Sequence, residues 1–552
     1  MTTIDLAELI FPEITETIED LEKRYPERNL PVGAEVTRFA PSPTGFLHTG
    51  SLFTSLVGYK VAKQSGGVFY TRLEDTDTKR EIEGSGKELL DQLAVFDVVP
   101  SEGYLGDHEE GEYGPYTQSL RADIYKVVIK ELLKRGLAYP CFCSKEDLDA
   151  LRATQEKTHM IPGYYRQYAK CRTLTVDEQI TRIKNGDRYV IRFKSRGYHE
   201  QKIEVNDLVR GHLFLSQNDQ DIVIYKSDGL PTYHFAHLVD DHFMRTTIVS
   251  RGEEWLSSLP IHLELFETMG WKAPSYAHLP VIMKLDNGNR RKLSKRKDNE
   301  AAISYFLQDG YPTEAIIEYL FTIANSNYEE WHAENKDKDF NDFMFSFDKM
   351  SLDGALFDLA KLQNISKEIL SHYSKEKMYE ETLKYGKLHN RKIVEVLESN
   401  PEYFKEIINI ERERENPRKD YMKYSEILPK NAFFYEYDEM LNNVELPFNP
   451  NYSKEKIIDV LSDFSASLNY DVDEQTWFAS LKALGLKHGF AESGKIYKQN
   501  KDLYIGQVGD VAEMIRIAMT TSKQSPNLYY VLRVLKKDEV QRRINLVINK
   551  IK

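Results

Sequence analysis

The chain has 552 residues, 41% hydrophobic and 29% charged, the balance of a globular protein too long for one hydrophobic core. It contains no run of eighteen apolar residues and no basic start, apolar centre and small-residue cleavage site at its N-terminus, so neither a membrane span nor a signal peptide is expected. Three cysteines cannot frame so long a chain, which points to the reducing cytoplasm, and a net charge of −13 neither supports nor excludes a nucleic-acid partner, which would feel only a local basic face.

Residues 1–33 read as a short helical preface punctuated by Pro12, Pro26 and Pro31. Glu35 to Ala40 alternates as a strand and runs into the turn-rich Pro41-Ser-Pro-Thr-Gly45. From Thr49 to Gln64, Leu52, Leu56, Tyr59 and Ala62 recur at helical spacing until Gly66-Gly67 ends the helix, and Val68 to Leu73 reads as the next strand. This βαβ unit is the kind that builds a nucleotide-binding parallel sheet. A mixed stretch follows, with an amphipathic helix from Tyr125 to Arg135, and a turn is expected at Asp228-Gly-Leu-Pro231. Beyond about residue 300 nearly everything reads as helix, at 301–325, 355–372, 455–468 and 507–520. Residues 328–342 and 411–422 are so charged that they read as exposed or linking, and no repeat of fixed period occurs.

Two short segments carry chemistry. Arg38-Phe-Ala-Pro-Ser-Pro-Thr-Gly-Phe-Leu-His48-Thr-Gly50 lies where a strand hands over to a helix. A glycine there admits a nucleotide close to the backbone, the helix N-terminus attracts phosphate, and His48 can donate as negative charge develops. The second is Lys292-Leu-Ser-Lys-Arg296 in a basic loop, whose ammonium groups can close over a triphosphate. Alone, the first is a common chance pattern and the second an ordinary solvated loop. In this order and about 240 residues apart, they resemble the paired signatures of class I aminoacyl-tRNA synthetases, with Ser51 and Leu293 at two variable signature positions.

The longer flanks narrow the resemblance. Arg72-Leu-Glu-Asp-Thr-Asp77, Gly114-Pro-Tyr-Thr-Gln-Ser119, Pro231-Thr-Tyr-His234, Asp240-Asp-His-Phe-Met244 and Arg251-Gly-Glu-Glu-Trp255 are similar to the bacterial glutamate–tRNA ligase family. A glutamine enzyme would carry a Pro-Glu-Pro-Asn type sequence where Pro41-Ser-Pro-Thr stands. The resemblance implies an α/β fold: a Rossmann-like catalytic domain (34–113 and 234–285) behind an N-terminal extension (1–33), split by an acceptor-binding insertion (114–233). A stem-contact region with the Lys292–Arg296 loop (286–372) and a mainly α-helical anticodon-binding domain (373–552) follow.

The implied reaction is ATP-dependent ligation of L-glutamate to the 3′-terminal adenosine of tRNA-Glu through glutamyl-adenylate, with Mg2+ accompanying ATP. A monomer in the cytoplasm, without membrane attachment, is expected. Carried over by position, glutamate falls to Arg38, Ser42, Glu74, Tyr233 and Arg251. ATP falls to His48, Gly50, Ser51, Glu254, Trp255, Lys292, Ser294, Lys295 and Arg296, with His48, Gly50, Lys292 and Lys295 serving catalysis. The charges suit these tasks: guanidinium forks for a carboxylate, Glu74 and the Ser42 hydroxyl for an ammonium. His237 stands where many relatives have asparagine. His242 and His278 read as structural.

Cys141-Phe-Cys143 and Cys171 lie in the expected insertion, where some relatives bind structural zinc. Thiolates suit zinc, but Thr173 occupies the usual position of the fourth ligand. Tyr164, Tyr165, Tyr168 and His159 are the nearby candidates, and three ordinary reduced thiols are the alternative. Two other functions fit less well. An enzyme that glutamylates a tRNA base would lack the roughly 180 residues beyond position 370, and a non-catalytic tRNA-binding paralogue would have lost His48, Lys295 or Arg251.

Overall fold

Helices α1 (Thr3–Ile10) and α2 (Ile18–Arg24) each start on a threonine, Thr2 or Thr17, that forms a reciprocal cap with Asp5 or Asp20. Leu6, Ala7, Phe11, Ile14, Leu21 and Tyr25 are buried in the main core, so the preface is an integral layer. The computed structural model describes every residue except 44, 78–81, 295, 296, 337, 353, 468 and 470. Its compact units are Met1–Phe306 with Ile317–Asp358, and Leu307–Ile316 with Leu359–Lys552.

In the first unit β1 (Val36–Phe39) pairs in parallel with β2 (Val68–Thr71), and α3 (Thr49–Ser65) connects them as the apolar spacing predicts. Gly66 ends the helix at φ 70°, and a Cβ on Gly67 would lie 1.9 Å from the Glu35 carbonyl oxygen, so only glycine lets the chain turn back so closely. After α4 (Ser85–Ala94), β3 (Glu102–Tyr104) joins β2 in parallel and β4 (Glu109–Glu110) folds back on it.

Next come α5 (Ala122–Lys134), β5 (Ala138–Cys141), α6 (Lys145–Lys157), α7 (Val176–Lys184) and β6 (Val190–Phe193). The hairpin β7 (Lys202–Asp207) and β8 (Gly211–Ser216) precedes β9 (Val223–Tyr225), and β5, β6 and β9 form an antiparallel sheet. The chain then returns through α8 (Tyr233–Phe243), β10 (Ile248–Gly252), α9 (Leu259–Met269) and β11 (Ser275–Leu279). Strands β10 and β11 are parallel, and the Thr247 amide donates to the Val36 carbonyl at 2.9 Å, setting β10 beside β1. Strand order therefore reverses between β1 and β10, the switch point at which open α/β sheets hold ligands. The hairpin β12 (Ile282–Asp286) and β13 (Asn289–Lys292) leads into the basic loop.

Residues 328–342 are largely exposed, as their charge predicts, but the stretch is not a bare linker. Tyr328–Glu334 is helical, and Tyr328 (1% exposed) packs edge-on to Phe343, while Phe340 lies 4.4 Å from Phe321 between ring centroids. The surrounding charges hide an aromatic cluster. In the second unit, long helices such as Lys375–His389, Lys454–Ser467, Glu474–Lys487, Val508–Thr520 and Leu528–Ile551 bury two apolar clusters, matching the expected helical C-terminal half.

Candidate active site

A cleft of about 1000 Å³ opens at the switch point, lined by Arg38, Ser42, His48, Gly50, Ser51, Glu74, Tyr233, Arg251, Glu254, Trp255 and Lys292 among others. Eleven residues named from sequence thus converge on one space. The first signature meets the segment that follows the second: the Thr49 hydroxyl donates to the Glu300 carbonyl at 2.8 Å, and His48 bridges to Ala302. His48 caps α3 through Nδ1, which accepts from the Gly50 amide at 2.9 Å, so the neutral ring carries its proton on Nε2. Lys292, at the end of β13, pairs with Glu254 at 2.7 Å. Burial opposes ionisation of Glu254, but the Lys292 ammonium prevails and holds its carboxyl below the ordinary value. The Ser294 amide donates to Asp298 at 2.8 Å. Lys295 and Arg296 lie outside the described residues.

Beneath the cleft runs a buried charge network. Asp241, on the last turn of α8, accepts from Arg72 at 2.8 Å and from Arg38 at 3.2 Å. Its neighbour Asp240 accepts from Arg121 at 2.6 Å, Tyr125 at 2.9 Å and Gln118 at 2.9 Å. Arg72 also donates to Glu74 at 3.0 Å. Three guanidiniums and three carboxylates therefore balance. Burial alone would protonate Asp241, but Arg38 and Arg72 hold it well below the usual carboxylate range. Burial raises Glu74, with Arg72 opposing.

Arg251 differs from these arginines. It is 5% exposed at the end of β10, and its Nε donates to His278 Nε2 at 3.0 Å, while one Nη lies 3.1 Å from His262 Nδ1 and the other 3.3 Å from the Trp255 carbonyl oxygen. None of these partners is a carboxylate. Burial depresses the pKa values of His262 and His278, so both rings are neutral. A buried guanidinium surrounded by neutral acceptors has residual attraction for an anion. Tyr233 opens α8 beside it and packs against Trp255 at a tilt of 36°, with ring centroids 4.4 Å apart.

His237 is fully buried, its Nε2 2.9 Å from the Tyr276 hydroxyl and its Nδ1 2.6 Å from Asp241, and burial pushes its pKa down to about 4. His242 is structural, as expected, stacking on Trp271 at 3.8 Å and bonding Glu22 at 2.7 Å. His278 is buried and accepts from Arg251 at 3.0 Å. Sequence reading gave it no role because a lone buried histidine carries no signature. His262 carries no signature for the same reason, and Asp207 meets His278 only across 71 residues.

The thiols of Cys141, Cys143 and Cys171 lie within 4.8 Å of one another. Of the four candidates for a fourth donor, Tyr164 is brought to them: its hydroxyl lies 3.2 Å from Cys143 Sγ and accepts from the Cys171 amide at 3.0 Å. Cys141 and Cys143 share a hydrogen bond that lowers the pKa of the first thiol and raises that of the second.

Comparison with known proteins agrees with this geometry. Residues 35–363 match the family of class I tRNA synthetases (E and Q), catalytic domain, and residues 501–548 match an anticodon-binding domain. The chain is 46% identical over 550 residues to a glutamate–tRNA ligase of Clostridium perfringens, covering 99% of this chain and 100% of the other. It is 44% identical over 549 residues to that of Clostridium beijerinckii, covering 99% of each. A crystal structure of a glutamate tRNA ligase from Elizabethkingia meningosepticum in complex with its amino acid superimposes with a TM-score of 0.75 at 29% identity, covering 94% of this chain and all of the other.

Proposed function

Because the chain belongs to the glutamate–tRNA ligases of class I, we propose that the cleft of its first unit receives glutamate, ATP and the 3′ end of tRNA-Glu. The enzyme joins glutamate to tRNA-Glu in two steps. The α-carboxylate attacks the α-phosphate of ATP, supplied as its magnesium complex, giving glutamyl-adenylate and pyrophosphate. The terminal adenosine hydroxyl then takes the glutamyl group and AMP leaves. No side chain is covalently modified, so the residues act by positioning and by meeting developing charge.

The observation that carries the substrate assignment is Arg251, a buried guanidinium at the wall of the cleft with no carboxylate partner among the described residues. It takes the side-chain carboxylate of glutamate, with Tyr233 adding a hydrogen bond. Arg38, fixed by Asp241, supplies a second guanidinium, while Glu74 and Ser42 receive the α-ammonium. On the nucleotide side, His48 donates to phosphate from Nε2, Gly50 and Ser51 admit the nucleotide at the start of α3, and Trp255 offers an aromatic face. Lys292 and Ser294, followed by Lys295 and Arg296, close over the phosphates, and Glu254 holds Lys292 between turnovers. The division into a catalytic domain (34–113 and 234–285), acceptor-binding insertion (114–233), stem-contact region (286–372) and anticodon-binding domain (373–552) belongs to this reading. The anticodon-binding match near the C-terminus supports it.

Cys141, Cys143, Cys171 and the Tyr164 hydroxyl suit a tetrahedral structural zinc, which would tie the start of the insertion to the segment around Cys171. No step of the reaction passes through it. The test of the function is side-by-side charging of tRNA-Glu and tRNA-Gln with labelled glutamate and labelled glutamine. Glutamate is expected on tRNA-Glu, and preferential charging with glutamine would overturn the assignment of Arg251.

A further inference from the structure

Strands β10 and β11 place Arg251 directly beside His278 in register. Parallel neighbours project side chains to the same face, and both are buried. The nitrogen Nε of arginine only donates, so His278 Nε2, 3.0 Å away, must accept. The ring proton therefore sits on Nδ1, where it is donated to Asp207 Oδ2 at 2.6 Å. The tautomer is set from both ends.

Asp207 is itself firmly held. Its Oδ1 accepts the amides of Val209 at 3.0 Å and Arg210 at 2.9 Å, closing the turn between β7 and β8. The next residue, Leu208, donates its amide to the Tyr276 carbonyl of β11 at 2.8 Å, and Arg210 pairs with Glu253. The hairpin is thus docked onto the strand ends that carry Arg251.

We propose that Asp207 and His278 are positioning residues of the glutamate subsite, a fixed relay from the β7–β8 hairpin that holds the Arg251 guanidinium at the angle its substrate needs. The relay rests on the reading of Arg251 as the residue that meets the side-chain carboxylate. Each of the three guanidinium nitrogens is engaged by one neutral acceptor, which leaves further Nη donors for the substrate. Without an accepting Nε2 the guanidinium loses the partner that fixes its rotation. A plain buried Asp–His pair would satisfy its own hydrogen bonds equally well, but it would have no reason to present an acceptor to a cleft guanidinium that lacks an acid among the described residues.

The experiment compares Asp207→Asn, His278→Leu, His278→Gln and Arg251→Gln in the full chain, measuring KM for glutamate and for ATP in tRNA charging, with melting temperatures alongside. In Asp207→Asn the amide oxygen can keep the two turn bonds, while the amide nitrogen faces His278 and forces its proton to Nε2, opposite the donor of Arg251. Loss of one bond to a charged group should raise the glutamate KM about tenfold or more in Asp207→Asn and His278→Leu, with the ATP KM changed less than about twofold. His278→Gln, whose side-chain oxygen can accept from Nε, should recover most of the loss. Equal rises in both KM values, or a glutamine variant no better than the leucine one, would overturn the relay. Arg251→Gln separates the two readings. If it raises the glutamate KM while the other variants do not, only the relay falls; if it leaves that KM unchanged, the assignment of Arg251 falls and the relay with it.

Discussion

Arg251 is unlike Arg38, Arg72 and Arg121 because those three share their charge with Asp240, Asp241 and Glu74, whereas its own partners are neutral. On the proposed role of Arg251, that difference sets selectivity. An ionised carboxylate answers the guanidinium, but the amide of glutamine must turn a donor toward a group that only donates. Arg251→Gln removes the charge and supplies an acceptor, so kcat/KM for glutamate should fall about 100-fold or more and the gap to glutamine should narrow. Wild-type preference in pyrophosphate exchange would transfer the role to Arg38. His237 predicts an effect of pH on stability. Burial holds its folded pKa at about 4, below the ordinary 6.5, so its contribution is complete above pH 6.5 and is lost as pH falls through about 4. His237→Asn should make urea-unfolding stability less steep in that window, by up to ~1.4 kcal/mol per pH unit, the value for one proton. An unchanged slope would mean that unfolding adds no proton at this ring.

Helices α1 and α2 bind later segments through specific polar bonds as well as apolar burial. Lys130 of α5 donates to the carbonyls of Phe11 and Ile14 at 3.0 and 2.7 Å, and Arg245, just after α8, donates to the Tyr25 carbonyl and pairs with Glu22. Leu21 is fully buried, so Leu21→Ala should cost about 2–5 kcal/mol in the unfolding of the first unit, measured by urea titration. A change under ~0.5 kcal/mol would make the preface an appendage. The cysteine knuckle after β5 makes its own prediction. Protein purified without added metal should carry one zinc, and Cys171→Ala should lose it, with charging activity less affected than thermal stability. A zinc content near zero that added zinc does not raise would leave the thiols ordinary. How much of this was legible depends on the local pattern. The β1–α3–β2 unit could be read from its spacing and its glycines, and the cleft residues from motifs that keep their chemistry within a few positions. Asp207 and His278 are 71 residues apart in sequence and meet only because the hairpin docks on β11, so no local signal joins them. Tyr328 and Phe343 were obscured by the charges between them.

At the scale of the molecule, the first unit is a sheet whose central strand comes early and whose completion comes late. β1 leads at once into α3 and β2, but its other neighbour is β10, reached only after the whole stretch that holds β5 to β9. Such distant pairings make folding slow relative to contacts formed within one helix or hairpin. The same separation appears in the preface, where Arg245 meets Tyr25 across 220 positions and Lys130 meets Phe11 across 119. On the ribosome, at roughly 5–20 residues per second, these partners of α1 and α2 are made only after ~6–45 s of further synthesis. During that interval Leu6, Phe11, Leu21 and Tyr25 have no core to enter. The burial of this apolar segment therefore waits on residues made well after it, so its cover is supplied by the later chain rather than by its own neighbours.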